Sequence, residues 1–201
     1  APVAEWLPQG TIVSVEVTRP EALLDLALSP RAIRTITALP AYQKQASTPG
    51  YRQFVQVIEF LESRLGADWK TALRKLTGGG VALAVQADGA VLLIIDAVDE
   101  KMLRDLRETI VTFAQADAAN QDAANRIESA TYRGVTVWQA GSEQAHFIQG
   151  GRLVFSNRPA TLRAVIDRSQ DPAQSRLGQL PAYRQARQAA GSGAAVVGFV
   201  N

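Results

Sequence analysis

Two stretches of this chain echo one another, about seven-tenths of its length apart. Arg19-Pro20-Glu21-Ala22-Leu23 follows the alternating run from Ile12 to Val17 and leads on to Leu39-Pro40-Ala41-Tyr42. Arg158-Pro159-Ala160-Thr161-Leu162 follows Leu153-Val154-Phe155 and leads on to Leu180-Pro181-Ala182-Tyr183. The arginines are offset by 139 positions and the leucines by 141, so both order and spacing are kept. Two motifs in one order, each behind a strand-like run, are the signature of a structural repeat. Pro20 and Pro159 suit the first position of a helix, where a missing N–H costs nothing. The expectation is a strand, a Pro-started helix and a second helix opening Leu-Pro-Ala-Tyr, occurring twice.

Between the two copies the punctuation is clear. Thr11 to Val17 sets Ile12, Ser14 and Glu16 against Val13, Val15 and Val17, the period of a half-buried strand. Phe54, Val57, Ile58, Leu61 and Leu65 follow helical spacing, and Gly66 supplies a stop. Asp68 can cap a following helix whose inward residues would be Trp69, Leu73 and Leu76. Asp88-Gly89 joins the runs 81–85 and 90–95 as a hairpin, and Gly150-Gly151 does the same for 144–148 and 152–155. Asp99 begins the longest helix, with Leu103, Leu106, Ile110 and Phe113 along one face. Asp117-Ala118-Ala119-Asn120 recurs as Asp122-Ala123-Ala124-Asn125, an Ala-rich solvated extension with little to bury. The run Thr131 to Gln139 reads as one strand, and 194–200 as a terminal one that shares the sheet with the first.

Hairpins imply antiparallel pairing, and the helices come in blocks instead of alternating with strands. That pattern predicts an α+β fold: a mainly antiparallel sheet of about seven strands with helices packed on one face. The 201 residues are read as one domain, 1–201. Apolar content of 47% and charged content of 20% are those of a packed globular chain. A net charge of +2, with acids and bases interspersed, generates no field that would steer nucleic acid, and none is expected as a partner. No run approaches the roughly 20 apolar residues of a spanning helix, so no membrane insertion is expected. Cysteine is absent, as suits an exported protein avoiding stray thiol pairing. The chain opens on Ala1-Pro2 and stops just after a strand-like run. It is read as a fragment of a longer protein, located in the periplasm or otherwise exported.

Each candidate chemistry has a structural reading beside it. Gly78-Gly79-Gly80 closes a helix and opens a strand, the reverse of a phosphate-binding loop. His146, the sole histidine, could serve a hydrolase only with Ser142, Ser156 or Ser192 as nucleophile, and no Gly-x-Ser-x-Gly elbow is present. One His and no Cys exclude the usual zinc sets, while Asp96, Asp99 and Glu100 lack the spacing of a calcium loop. Glu59 and Glu62 lie one helical turn apart, as an exposed helix face or an acid–base pair would. Tyr42 and Tyr183, at equivalent echoed positions, either wedge a helix against the sheet or line a recognition surface. No catalytic residue, metal or cofactor is assigned.

Trp6-Leu7-Pro8-Gln9-Gly10-Thr11 with Arg19-Pro20-Glu21-Ala22-Leu23-Leu24, Leu65-Gly66-Ala67-Asp68-Trp69 with Leu76-Thr77-Gly78-Gly79-Gly80, and Leu153-Val154-Phe155-Ser156-Asn157 together resemble an uncharacterised family. It comprises exported bacterial proteins carrying a large domain of unknown function. The resemblance implies an envelope location and a longer parent protein, and it offers no catalytic residues. The expected function is a non-catalytic structural or protein-interaction module whose partners are other protein segments or envelope proteins. Two alternatives stand: a peptide, glycan or small-molecule binding domain between sheet and helices around Tyr42 and Tyr183, and a hydrolase centred on His146.

Overall fold

In the computed structural model, residues 3–120, 127–141 and 143–201 are described, apart from the side chains of 114 and 116–120. The order is β1 (Thr11–Val17), α1 (Pro20–Ala27), α2 (Pro30–Thr37), α3 (Pro40–Ala46), α4 (Pro49–Leu65), α5 (Trp69–Thr77), β2 (Gly80–Gln86), β3 (Val91–Asp96) and α6 (Glu100–Asn120). Then follow β4 (Ile127–Tyr132), β5 (Val135–Ala140), β6 (Gln144–Gln149), β7 (Arg152–Ser156), α7 (Pro159–Gln170), α8 (Pro181–Ala190) and β8 (Val196–Val200). The eight strands form one antiparallel sheet in the order β4-β5-β6-β7-β3-β2-β1-β8. The α+β class is as expected, and the first and last strands are neighbours.

The extra strand comes from the run read as Thr131 to Gln139. Arg133 and Gly134, with φ of 47° and 77°, make a two-residue turn that splits it into β4 and β5. Residues in the left-handed region at both turn positions match the twist of a hairpin. A second difference lies in the echo. Pro20 and Pro159 do start helices, as do Pro40 and Pro181, but α2 is inserted in the first copy between α1 and α3. Ser29 Oγ accepts from the Ala32 N–H at 3.2 Å and caps α2. The matching region of the second copy holds only a short 3₁₀ turn, Leu177–Gln179. Asp68 caps α5 as expected, its Oδ1 accepting from the N–H groups of Lys70 and Thr71. The repeated Asp122-Ala123-Ala124-Asn125 lies outside the described residues.

The buried core sits on one face of the sheet, against α7, α8 and the segment from Ala4 to Leu7. Paired residues in an antiparallel ladder share a face. One core row therefore runs Glu16, Ala82, Ile94, Val154, Phe147 across five strands, and the next runs Ser14, Ala84, Leu92, Ser156, Ala145. Leu162, Val165 and Ile166 of α7, all fully buried, close over the β6 and β7 end of these rows. The remaining helices pack chiefly on one another, joining the sheet through α5 beside β3 and α6 beside β4. Packing there is thin: from 20 to 77 only Pro20, Ala72 and no other helical residue is buried.

Alternation alone favours burying the valines of β1. The structure buries Ser14 and Glu16 instead, at 1% and 5% exposure, and leaves Val15 42% exposed. Glu16 is tolerated because Tyr183 of α8 donates its hydroxyl to Oε1 at 2.5 Å. The side-chain oxygens of Thr11 and Ser14 are buried with no hydrogen-bond partner among the described residues. At the far end of the core face Arg152 pairs with Asp96 and lies 4.5 Å from the Trp6 ring centroid.

Candidate functional site

The outward side chains of β1 continue across the sheet. Val15 pairs with Leu83, Leu83 with Leu93, Leu93 with Phe155, Phe155 with His146 and His146 with Trp138. A parallel row carries Val196, Val17, Val81, Ile95 and Leu153. The second face is thus nearly as apolar as the first, yet none of these residues is buried, and Leu83 and Val196 are each 45% exposed. Towards β5 and β6 it is partly roofed by α6, where the Arg107 guanidinium lies 4.7 Å from the Trp138 ring centroid. Towards β8 it is open, and Val200 is 77% exposed.

The nominated catalytic groups are not brought together. His146 lies on the open face between Phe155 and Trp138, its pKa lowered by burial and then by the Arg107 charge. Ser156 points to the core face, where its hydroxyl accepts from the Arg158 N–H at 3.1 Å. Ser192 is in the exposed turn before β8, and Ser142 lies outside the described residues. The acids 96, 99 and 100 each have their own cation: Asp96 binds Arg152, Asp99 binds Lys75 at 3.1 Å, and Glu100 binds Arg104. Asp99 also caps α6, accepting from the Met102 N–H, and that bond, with Lys75, holds its carboxyl below the usual range. Among the described residues no three His, Asp or Glu side chains converge as metal ligands.

The glycine run takes its structural role. Gly79 donates to the Asp96 carbonyl at 2.9 Å, and a Cβ there would lie 2.8 Å from Asp96 atoms. The two echoed tyrosines occupy separate environments and share no surface. Tyr183 is 4% exposed, edge-on to Phe199. Tyr42 is half-exposed on α3, its hydroxyl 2.8 Å from that of Tyr51. Trp69, expected to face inward, is 41% exposed and lines a cleft between α4 and α5 together with Glu59 and Glu62. The periodicity of α5 places Trp69 beside Leu73 and Leu76, but the thin helical layer leaves nothing to cover its ring.

Together these features define an α+β protein with a one-sided core and a second, apolar sheet face left open. Residues 107–201, just under half of the chain, match a family described as protein of unknown function (DUF3352). The resemblance to an uncharacterised family is met there. No curated protein matches the chain. A solved structure described as crystal form I of TP0453 is similar in fold over 100% of this chain at 12% identity, with a TM-score of 0.50. The chain spans 63% of that structure's length. Among the described residues, no helix is long and apolar enough to cross a membrane.

Proposed function

We propose that this chain is a non-catalytic structural and protein-interaction module of an exported, cell-envelope protein. The observation that carries the reading is the polarity of β1, which buries Ser14 and Glu16 while presenting Val13, Val15 and Val17 to the open face. Local rules of burial are broken chiefly where function demands it. A partner covering the valines would recover the apolar burial that the isolated chain forgoes, at roughly 25 cal/mol per Å².

The partner is a polypeptide. Among the described residues β8 is an edge strand, paired only with β1, and its Val196, Gly198 and Val200 point to the open face. An added strand would gain main-chain hydrogen bonds from the edge and apolar contacts from the face at once. Export is consistent with a chain that has no cysteine to misoxidise.

The test is a photo-crosslinking residue at Leu83 in the full-length protein in intact cells, with a control at exposed Glu21. A discrete protein adduct at position 83 but not 21, recovered in the envelope fraction, is the expected result. No adduct, or one found only in the cytosol, contradicts the proposal.

A further inference from the structure

The helical layer holds a second unfilled feature, which uses none of the open-face residues and stands or falls independently of them. On α4, Tyr51, Phe54 and Ile58 follow one another at three- and four-residue spacing and form one helix face. That face does not pack into a core, since no residue of the 17-residue helix is buried. Instead it borders a cleft of about 430 Å³ whose other wall is Trp69 of α5.

Three aromatic rings therefore meet one cavity. Tyr51 is fixed from behind: its hydroxyl is bonded to that of Tyr42 and its ring stands edge-on to the Tyr42 ring at 6.0 Å. Phe54 lies tilted against Tyr51, with centroids 6.4 Å apart. Trp69 is positioned by its own backbone N–H, which donates to Glu62 Oε1 at 2.7 Å, and by the Asp68 cap that begins its helix. The rings are preorganised by contacts that do not depend on a ligand.

The charged residues lining the cleft are both acids. Glu59 and Glu62 line it, and Glu59 makes no ion pair with a described residue. Aromatic faces carry negative quadrupole potential and attract cations, most strongly when carboxylates stand nearby to complete the charge. Lys70 does not line the cleft, but its ammonium lies 5.6 Å from the Trp69 centroid, so this ring already attracts one side-chain cation. An anion would meet two carboxylates here and be repelled. A neutral ligand would gain area but nothing from the charge.

We infer that the cleft between α4 and α5 binds a small organic ammonium ion, with Tyr51, Phe54 and Trp69 as the ring walls and Glu59 and Glu62 as counter-charges. An alkylated ammonium suits it better than a bare one. Its methyl groups bury apolar area on the rings and its diffuse charge is cheaper to desolvate.

Choline is the probe, and its neutral carbon isostere dimethylbutanol is the control, with binding followed calorimetrically. Choline is expected to bind at least about tenfold more tightly than the isostere, the range of a desolvated cation–π contact. Glu59→Gln should weaken it about threefold or more, and Phe54→Leu, which keeps an apolar side chain but removes the ring, by a similar factor. Both positions are exposed, and circular dichroism confirms that the variants remain folded. Equal binding of the isostere, choline affinity unchanged in both variants, or no choline binding overturns the inference.

Discussion

Replacing Phe147 with alanine is expected to lower the free energy of unfolding by about 3–5 kcal/mol, the usual cost of a large cavity in a packed interior. Phe147 is fully buried at the β6 end of the core row, pairs with Val154 and Val137, and stacks against Trp6 at 6.4 Å. Its other neighbours belong to the sheet ladder and to α7, which cannot collapse cheaply into the void. For a chain of this length each kcal/mol lowers the melting temperature by roughly 2–4 °C, so the variant should melt well below the parent. Phe54→Ala, at a ring 59% exposed on α4, should change stability by no more than about 0.5 kcal/mol. Urea denaturation of the two variants compares them directly. Similar losses would mean that the helical layer is as tightly packed as the sheet core.

The second large effect belongs to Tyr183. Its hydroxyl is the hydrogen-bond donor that makes a carboxylate acceptable beneath α8, and both partners are buried. Tyr183→Phe keeps the ring against Phe199 but strips Glu16 of that donor, and should cost about 1.5–3 kcal/mol, the range for hydrogen bonds to charged groups. The pH dependence follows from the sign of the shift. Burial first, and the Glu16 contact second, push the Tyr183 hydroxyl well above its ordinary value. The unfolded chain therefore releases this proton first as pH rises. The stabilisation is complete below about pH 10, the unperturbed tyrosine value, and declines above it. The urea midpoint of the parent should fall in this alkaline range more steeply than that of Tyr183→Phe. Parallel profiles would remove Tyr183 as the source.

Local chemistry made much of the framework legible. Asp88-Gly89 and Gly150-Gly151 marked two hairpins, Asp68 and Asp99 marked helix starts, and the prolines at 20, 40, 159 and 181 each open a helix. The turn at Arg133-Gly134 was missed because strand-like residues surround it, and a single Gly was the signal. Ser29-Pro30 was the corresponding signal for α2.

The faces were harder to read, for a physical reason. Period-two alternation says that the two sides of β1 differ, but not which one meets the core. That choice is made by Tyr183, 167 residues away in sequence, and by the Val3–Glu5 turn packed on β2. The same long-range contacts separate the echoed tyrosines, since α8 lies on the sheet and α3 does not. The cleft at Tyr51, Phe54 and Trp69 was invisible because helical spacing normally signals burial, and only the thinness of the helical layer leaves those rings uncovered.

β2 has one packed face, with Ala82 and Ala84 buried, and one open apolar face, with Leu83 45% exposed. The chain contains no cysteine, so single cysteines placed at Leu83 and Ala84, neighbours on opposite faces, can be labelled without background. In dilute native protein, the cysteine at 83 should react with a maleimide nearly as fast as in denaturant. At 84 it should be slower by at least about a hundredfold, because reaction there requires opening of the core. Equal protection at both positions would show the valine face to be closed, and would contradict the account.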